Sequence, residues 1–230
     1  MPVTLFCFPF AGGSSALFHK IKRDIQNVDI QVMEYPGHGR RFSEPLKNRF
    51  ADLENNLYDS LKPLLKQPYA IYGHSLGALI GFELTRKIIR NGDPAPQNFI
   101  LSGRRAPHIP PSMPQIHHLE RESFIEKFEQ YYQPLPSEIK NEPSTLALFL
   151  PIIKADISVL EDYQFDGYNE ILPCPITAIA GDSDLHSSLA DVKLWKKYTS
   201  QFNCYEIKSD HYSFFSDNIE FTKLVSKILN

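Results

Sequence analysis

Gly73-His74-Ser75-Leu76-Gly77 stands where a short apolar run, residues 69–72, gives way to a stretch with helical periodicity. A serine between two glycines at a strand-to-helix turn must adopt a strained backbone; the small neighbours permit it, and the hydroxyl projects above the sheet. The helix that follows points its amino end at that hydroxyl, where negative charge developing during acyl transfer is favoured. Ser75 is therefore the candidate nucleophile. A serine hydroxyl is a poor nucleophile at neutral pH, so it needs a histidine base, and the histidine needs an acid to hold its tautomer and stabilise the imidazolium.

For a nucleophile on such a turn the chain order is Ser, then Asp or Glu, then His. Gly181-Asp182-Ser183-Asp184 follows an apolar run and supplies two carboxylates at the carboxyl edge of an expected strand, where catalytic groups collect. Asp184 lies three residues past the glycine and reaches further around the turn, so it is the preferred acid. Asp182 reads as a turn residue that bonds its own backbone. After the next apolar run, Lys208-Ser209-Asp210-His211 presents His211 in the equivalent place, as the base. Of the other histidines, His74 adjoins the nucleophile but leaves the turn in another direction, to pack beneath the loop. His19, His38, His108, His117 and His118 precede the acid, and His186 follows Asp184 too closely to reach it across the site.

An acyl-transfer site also needs two backbone N–H groups for the oxyanion. One belongs to Leu76, after the nucleophile, and the other to a loop after an earlier strand. Pro9-Phe10-Ala11-Gly12-Gly13-Ser14-Ser15 fits that loop, with Ala11 as the donor, because glycines let backbone approach substrate closely. Gly12-Gly13 would also suit a phosphate cradle, but neither a Gly-Lys-Ser/Thr nor a Gly-x-Gly-x-x-Gly pattern is present.

The elements that must carry these residues alternate as βα units, the pattern of a mostly parallel sheet with helices on both faces. Strands are expected near residues 4–10, 30–35, 69–72, 99–102, 176–180 and 204–207. Helices are expected over 50–66, kinked at Pro63, over 76–91, stopped by a left-handed Gly92, and over 188–199 and 217–229. The alternation breaks at about residues 104–172. A proline-rich loop at 106–114 is followed by amphipathic helical spacing over 119–132 and 146–160, with Pro134, Pro136 and Pro143 between. An insertion this long among tight βα units reads as a functional segment, a helical lid over the site, rather than as an extra structural layer.

At 230 residues, 42% hydrophobic and 22% charged, the chain suits one globular α/β domain, and no apolar run looks long enough to cross a bilayer. Met1-Pro2 leads straight into an expected strand without the pattern of a secretion signal, so a cytoplasmic location is expected. Cys7, Cys174 and Cys204 have neither metal nor redox spacing and read as buried reduced thiols. A formal charge of -3 gives no general attraction to nucleic acid. Arg40-Arg41 and Arg104-Arg105 read as solvated surface pairs, the second a candidate for meeting a docking partner.

With these residues placed, the chain resembles the type II thioesterases that accompany nonribosomal peptide and polyketide synthases. The resemblance is carried by Cys7-Phe-Pro-Phe-Ala-Gly-Gly13, Tyr35-Pro-Gly-His-Gly-Arg40, Gly73-His-Ser-Leu-Gly-Ala78, Leu150-Pro-Ile-Ile-Lys-Ala-Asp156 with Tyr163, and Gly181-Asp-Ser-Asp184 with Trp195. It implies an α/β-hydrolase fold with a lid, a Ser75, Asp184, His211 triad, and an oxyanion hole at Ala11 and Leu76. It also implies hydrolysis of acyl or aminoacyl thioesters from the phosphopantetheine arm of carrier-protein domains, with no metal or cofactor, no membrane or nucleic-acid partner, and a monomer. One departure is Ser209-Asp210 before His211, where the family often has glycine, which puts Asp210 in a position to alter the loop or the histidine. A fatty-acyl thioesterase or carboxylesterase, and a non-catalytic scaffold on the same fold, are the competing readings.

Overall fold

The computed structural model describes residues 2–65, 68–167, 170–216 and 218–229. Among them, β1 (Val3–Phe8), β2 (Val28–Val32), β3 (Tyr69–His74), β4 (Phe99–Ser102), β5 (Ile176–Gly181) and β6 (Phe202–Ile207) form one sheet. The order is β2-β1-β3-β4-β5-β6, and every pairing is parallel. Each expected run is a strand; β4 has the expected ends and the others are shifted. β1 stops before Pro9, which has no N–H for the ladder. β2 begins earlier than expected; Met33 N–H still reaches Cys7 O at 2.9 Å, and the chain then turns away from the sheet.

Burial follows the two-residue period of a strand. On β1, Leu5 and Cys7 join one apolar cluster while Phe6 and Phe8 join the other; on β3 the split is Ala70 and Tyr72 against Tyr69 and Ile71. The first face is covered by α1 (His19–Asp24) and α8 (Ile219–Leu229), the second by α2 (Phe50–Leu61) and α3 (Leu76–Arg90). α2 does not bend at Pro63. It ends at Leu61 and passes into a 3-10 turn over Lys62–Leu64, because a proline inside the helix would remove a hydrogen bond. The expected helix 188–199 likewise divides into α7 (Leu189–Lys193) and a 3-10 turn, Leu194–Tyr198. Gly92 has φ +73° just beyond the end of α3, as expected. The expected helix ends at Lys66 and Asp217 lie outside the described residues.

Between β4 and β5 lie α4 (Arg121–Tyr131), α5 (Ser137–Lys140) and α6 (Pro143–Asp162). Ile116, Phe124, Phe128, Leu146, Leu150 and Ile157 give this insertion an apolar cluster of its own. α6 runs longer than expected, with Pro143 in its first turn, where a missing N–H is harmless, and Pro151 inside it. By length and composition α6 is apolar enough to cross a membrane, contrary to expectation. Here much of it is buried within the protein instead. Its carboxyl-terminal half is tied to the body: Asp162 accepts from Phe50 N at 2.9 Å and Ser158 donates to Asn48 O at 2.9 Å. The half before Pro151 leaves Leu148 and Phe149 exposed. Cys7 and Cys174 are buried and unpaired as expected, but Cys204 is only half-buried.

The tightest place in the fold is where α3 meets the sheet. A Cβ on Gly77 would collide with Phe8 O and lie 2.7 Å from Pro9 O, and one on Gly73 would collide with the backbone of Gly77. Since all of these atoms are backbone, relief requires moving an element rather than a side chain. Gly77→Ala is expected to lower the unfolding free energy by about 1–3 kcal/mol, the usual cost of overpacking. Chemical denaturation checks this, and an unchanged midpoint would contradict it.

Candidate functional site

In a sheet of this order the chain goes from β1 outward to β2 and then returns past β1 to β3. The carboxyl ends of β1 and β3 therefore flank a topological switch point, where open α/β sheets bind ligands. Ser75 sits there, between β3 and α3, with φ +55° and ψ -112°. Left-handed φ in a non-glycine residue is strained, and its cost is met by surrounding contacts. Those contacts are the Ser75 N–H bond to Ser102 O, 3.0 Å, and the close glycine packing.

The loops after β5 and β6 bring the other two candidates to the same place. His211 Nδ1 donates to Asp184, with 3.0 Å to Oδ2 and 3.1 Å to Oδ1, and both residues are buried. Asp184 accepts further bonds from His186 N at 2.7 Å and Ser187 Oγ at 2.9 Å. Burial alone would raise its pKa, but the imidazole and these donors outweigh burial and hold the carboxyl at about 2. Asp182 instead accepts from Ser209 N at 3.2 Å, tying the β5 loop to the histidine loop rather than bonding its own backbone. Asp210 accepts from Tyr212 N and Ser213 N, both at 2.8 Å, so it caps the turn after His211 and shapes that loop.

Ser75 and His211 line one cavity of about 80 Å³. No hydrogen bond joins the two side chains, and such contacts are often long before substrate binds. Among the described residues, the Leu76 and Ala11 amides donate to no protein acceptor. Leu76 is the first residue of α3, where amides have no intrahelical partner. Ala11 lines a second, larger, mostly apolar cavity between its loop and the insertion, with Phe128, Leu135, Phe149 and Ile153. His74 packs beneath the site as expected, its ring 4.9 Å from that of His211 and its Nδ1 2.7 Å from Ser102 Oγ.

Several site residues escaped the sequence reading. The His186 ring lies 4.5 Å from that of His211 and 6.0 Å from that of Tyr132, and both His186 and Tyr132 line the cavity. Their only sequence signal is proximity to Asp184 or membership of the insertion. Arg104-Arg105 is not a solvated surface pair. Arg104 lines the cavity, its carbonyl accepts from Trp195 Nε1 at 2.8 Å, and burial beside Arg105 pushes its guanidinium down to about 10. Arg105 donates to Ser112 Oγ at 2.9 Å and His186 O at 3.0 Å, fastening the proline-rich loop. Arg40 is exposed as expected, whereas Arg41 donates to Glu34 O at 3.0 Å and Asn56 Oδ1 at 2.8 Å.

A parallel sheet carrying a serine on a strained strand-to-helix turn, with a buried Asp-His pair beside it, defines the α/β-hydrolase class. Residues 3–230 match the thioesterase domain family. The chain is 32% identical, over 99% of its length and 88% of the relative's, to a Brevibacillus parabrevis protein described as linear gramicidin dehydrogenase LgrE. ClbQ from the colibactin NRPS/PKS pathway superposes with TM-score 0.90 at 28% identity, covering 99% of this chain and 96% of ClbQ. YbtT, a type II thioesterase from the yersiniabactin NRPS/PKS pathway, gives 0.86 at 26%, covering 99% and 92%. The chain belongs to the thioesterase family.

The Asp184 carboxyl is depressed on folding, so the stability it contributes is in place above its unfolded-state pKa of about 3.9 and is lost as pH falls toward about 2. The stability difference between the native protein and Asp184→Asn should therefore be full at neutral pH and shrink as pH falls from about 4 toward 2. Unfolding free energies measured across that range check this; a difference independent of pH would contradict it.

Proposed function

We propose that this protein is a serine thioesterase that clears acyl or aminoacyl groups from the phosphopantetheine arm of carrier domains, restoring stalled or misprimed peptide or polyketide synthases. The observation that carries the reading is the buried Asp184–His211 pair opening onto the same cavity as Ser75. In this mechanism His211 takes the Ser75 proton as the hydroxyl attacks the thioester carbonyl, and the Ala11 and Leu76 amides hold the oxyanion. The carbon–sulfur bond breaks, His211 returns the proton to the departing thiol, and a water deprotonated by His211 then cleaves the acyl-serine ester. Asp184 stays ionised throughout and stabilises the imidazolium.

The insertion supports a carrier-borne substrate. It closes over the site as a lid, so an acyl group attached to a folded partner must reach Ser75 on a slender, extended arm. YbtT's description as a type II thioesterase of an NRPS/PKS pathway agrees with this. The dehydrogenase named in the Brevibacillus relative stays with that protein, since this chain has no Gly-x-Gly-x-x-Gly segment for a dinucleotide. The enzyme acts as a monomer in this reading, and the unpaired thiols suit a reducing cytoplasm.

Ser75→Ala should lower hydrolysis of an acyl-loaded carrier domain by at least about ten-thousandfold while leaving the protein folded. The native enzyme should show a higher kcat/KM for the acyl-carrier than for the same acyl group on an aryl alcohol. Unaltered turnover by Ser75→Ala would overturn the assignment, and far faster cleavage of the aryl ester would make the protein a general esterase.

A further inference from the structure

The loop that carries Ala11 is held at three points. Tyr35 OH donates to Pro9 O at 2.7 Å, and Ser15 Oγ donates to Glu34 Oε1 at 2.6 Å. The middle tie comes from elsewhere in the chain: Gly12 N–H donates to Asp156 Oδ2 at 2.7 Å, across 144 residues of sequence. Asp156 lies on α6, in the insertion, and is 2% exposed. Gly12 has φ +79°, and a Cβ there would lie 3.2 Å from Ile153, one turn before Asp156 on α6.

A carboxylate so deeply buried needs a counter-charge, and His38 provides it. Its Nε2 lies 2.9 Å from Asp156 Oδ2 and its Nδ1 3.1 Å from Pro36 O. The Pro36 carbonyl and an ionised Asp156 both only accept, so together the two contacts favour a proton on each ring nitrogen, the charged imidazolium. Burial opposes that charge, but Asp156, the Pro36 carbonyl and the nearby Glu34 outweigh it and raise the histidine's pKa. The Tyr35 ring lies 5.5 Å from that of His38.

We propose that Asp156 is a positioning residue for the oxyanion hole: from the lid helix it fixes the Gly12 amide, and through it the orientation of the adjoining Ala11 N–H, while His38 holds the carboxylate in place. The inference rests on the reading of Ser75 and Ala11 given above. The amide planes that carry the Ala11 and Gly12 N–H groups meet at the Ala11 Cα, so pinning the one on its carboxyl side limits the rotation that would turn the Ala11 N–H away from the oxyanion. One partner is on the lid and the other on the body, so the hole is complete only with α6 seated.

The test compares Asp156→Leu, similar in size but without an acceptor, with Asp156→Asn, which keeps an oxygen for Gly12. Thermal unfolding establishes that each is folded. Assays use a short-chain acyl thioester and an aryl ester, since both pass through the same hole. For the leucine variant kcat should fall about 10–100-fold on both substrates, less than the loss typical of deleting a hole donor outright. KM should stay within about twofold, the pattern of an interaction made only in the transition state. The asparagine variant should keep most of kcat. Hydrogen exchange at the Gly12 amide should accelerate in the leucine variant and stay slow in the asparagine variant. If Asp156→Leu does not fold, Asp156→Ser, whose shorter side chain falls short of the amide, carries the same expectations. Native kcat in a folded variant without the acceptor would overturn the proposal, as would a rise in KM alone or equal losses for leucine and asparagine. If the native protein cleaves neither substrate, the functional reading fails, while Gly12 exchange still reports on the clamp.

Discussion

The site depends on one backbone contact, the approach of Gly77 to the carbonyls of Phe8 and Pro9. It seats the first turn of α3 directly on the end of β1, which brings the serine turn next to the loop bearing Ala11. The parallel order of the sheet supplies the rest, because the loops after β3, β5 and β6 emerge at the same edge. The backbone at Ser75 is a consequence of that packing: its left-handed φ persists because the glycines and the Ser102 carbonyl leave the chain no easier path.

Buried charge is the second constraint, and the molecule handles it by pairing. Asp184 faces His211, and Asp156 faces His38. Arg86 is met by Glu83, Asp166 and Glu170 away from the site. The two Asp–His pairs join elements distant in sequence, whereas Arg86–Glu83 lies within α3; removing one member of a buried pair leaves its partner uncompensated in a poorly solvated place. Arg104 differs. Its Nε has no partner within the described residues, and it borders the space that a substrate would fill.

Local chemistry was legible in the sequence and distant contact was not. The sheet could be read because its strands are short apolar runs, several of them closed by Gly or Pro, and the serine turn because its geometry demands glycines at fixed offsets. Asp184 and His211 followed from chain order together with their places in the loops after two expected strands. Helix ends were less legible: Pro63 ends α2 rather than bending it, whereas Pro151 is carried within α6, and only tertiary packing separates the two outcomes. The short α1 and α5 carry too few turns for a periodic signal. His38 was set aside because it precedes the acid, and its partner lies 118 positions away. Arg104 read as surface because charge is usually solvated, and no local pattern reports that Trp195 and the insertion enclose it.

The central claim is that an acyl group passes through Ser75. The most direct measurement is the intact mass of the protein after rapid quenching from an acyl-loaded carrier domain, with the modified peptide then mapped. The account predicts a transient gain equal to the acyl group on the peptide that holds Ser75, absent in Ser75→Ala. Turnover with no acylated protein, or with the acyl group on another residue, would contradict it.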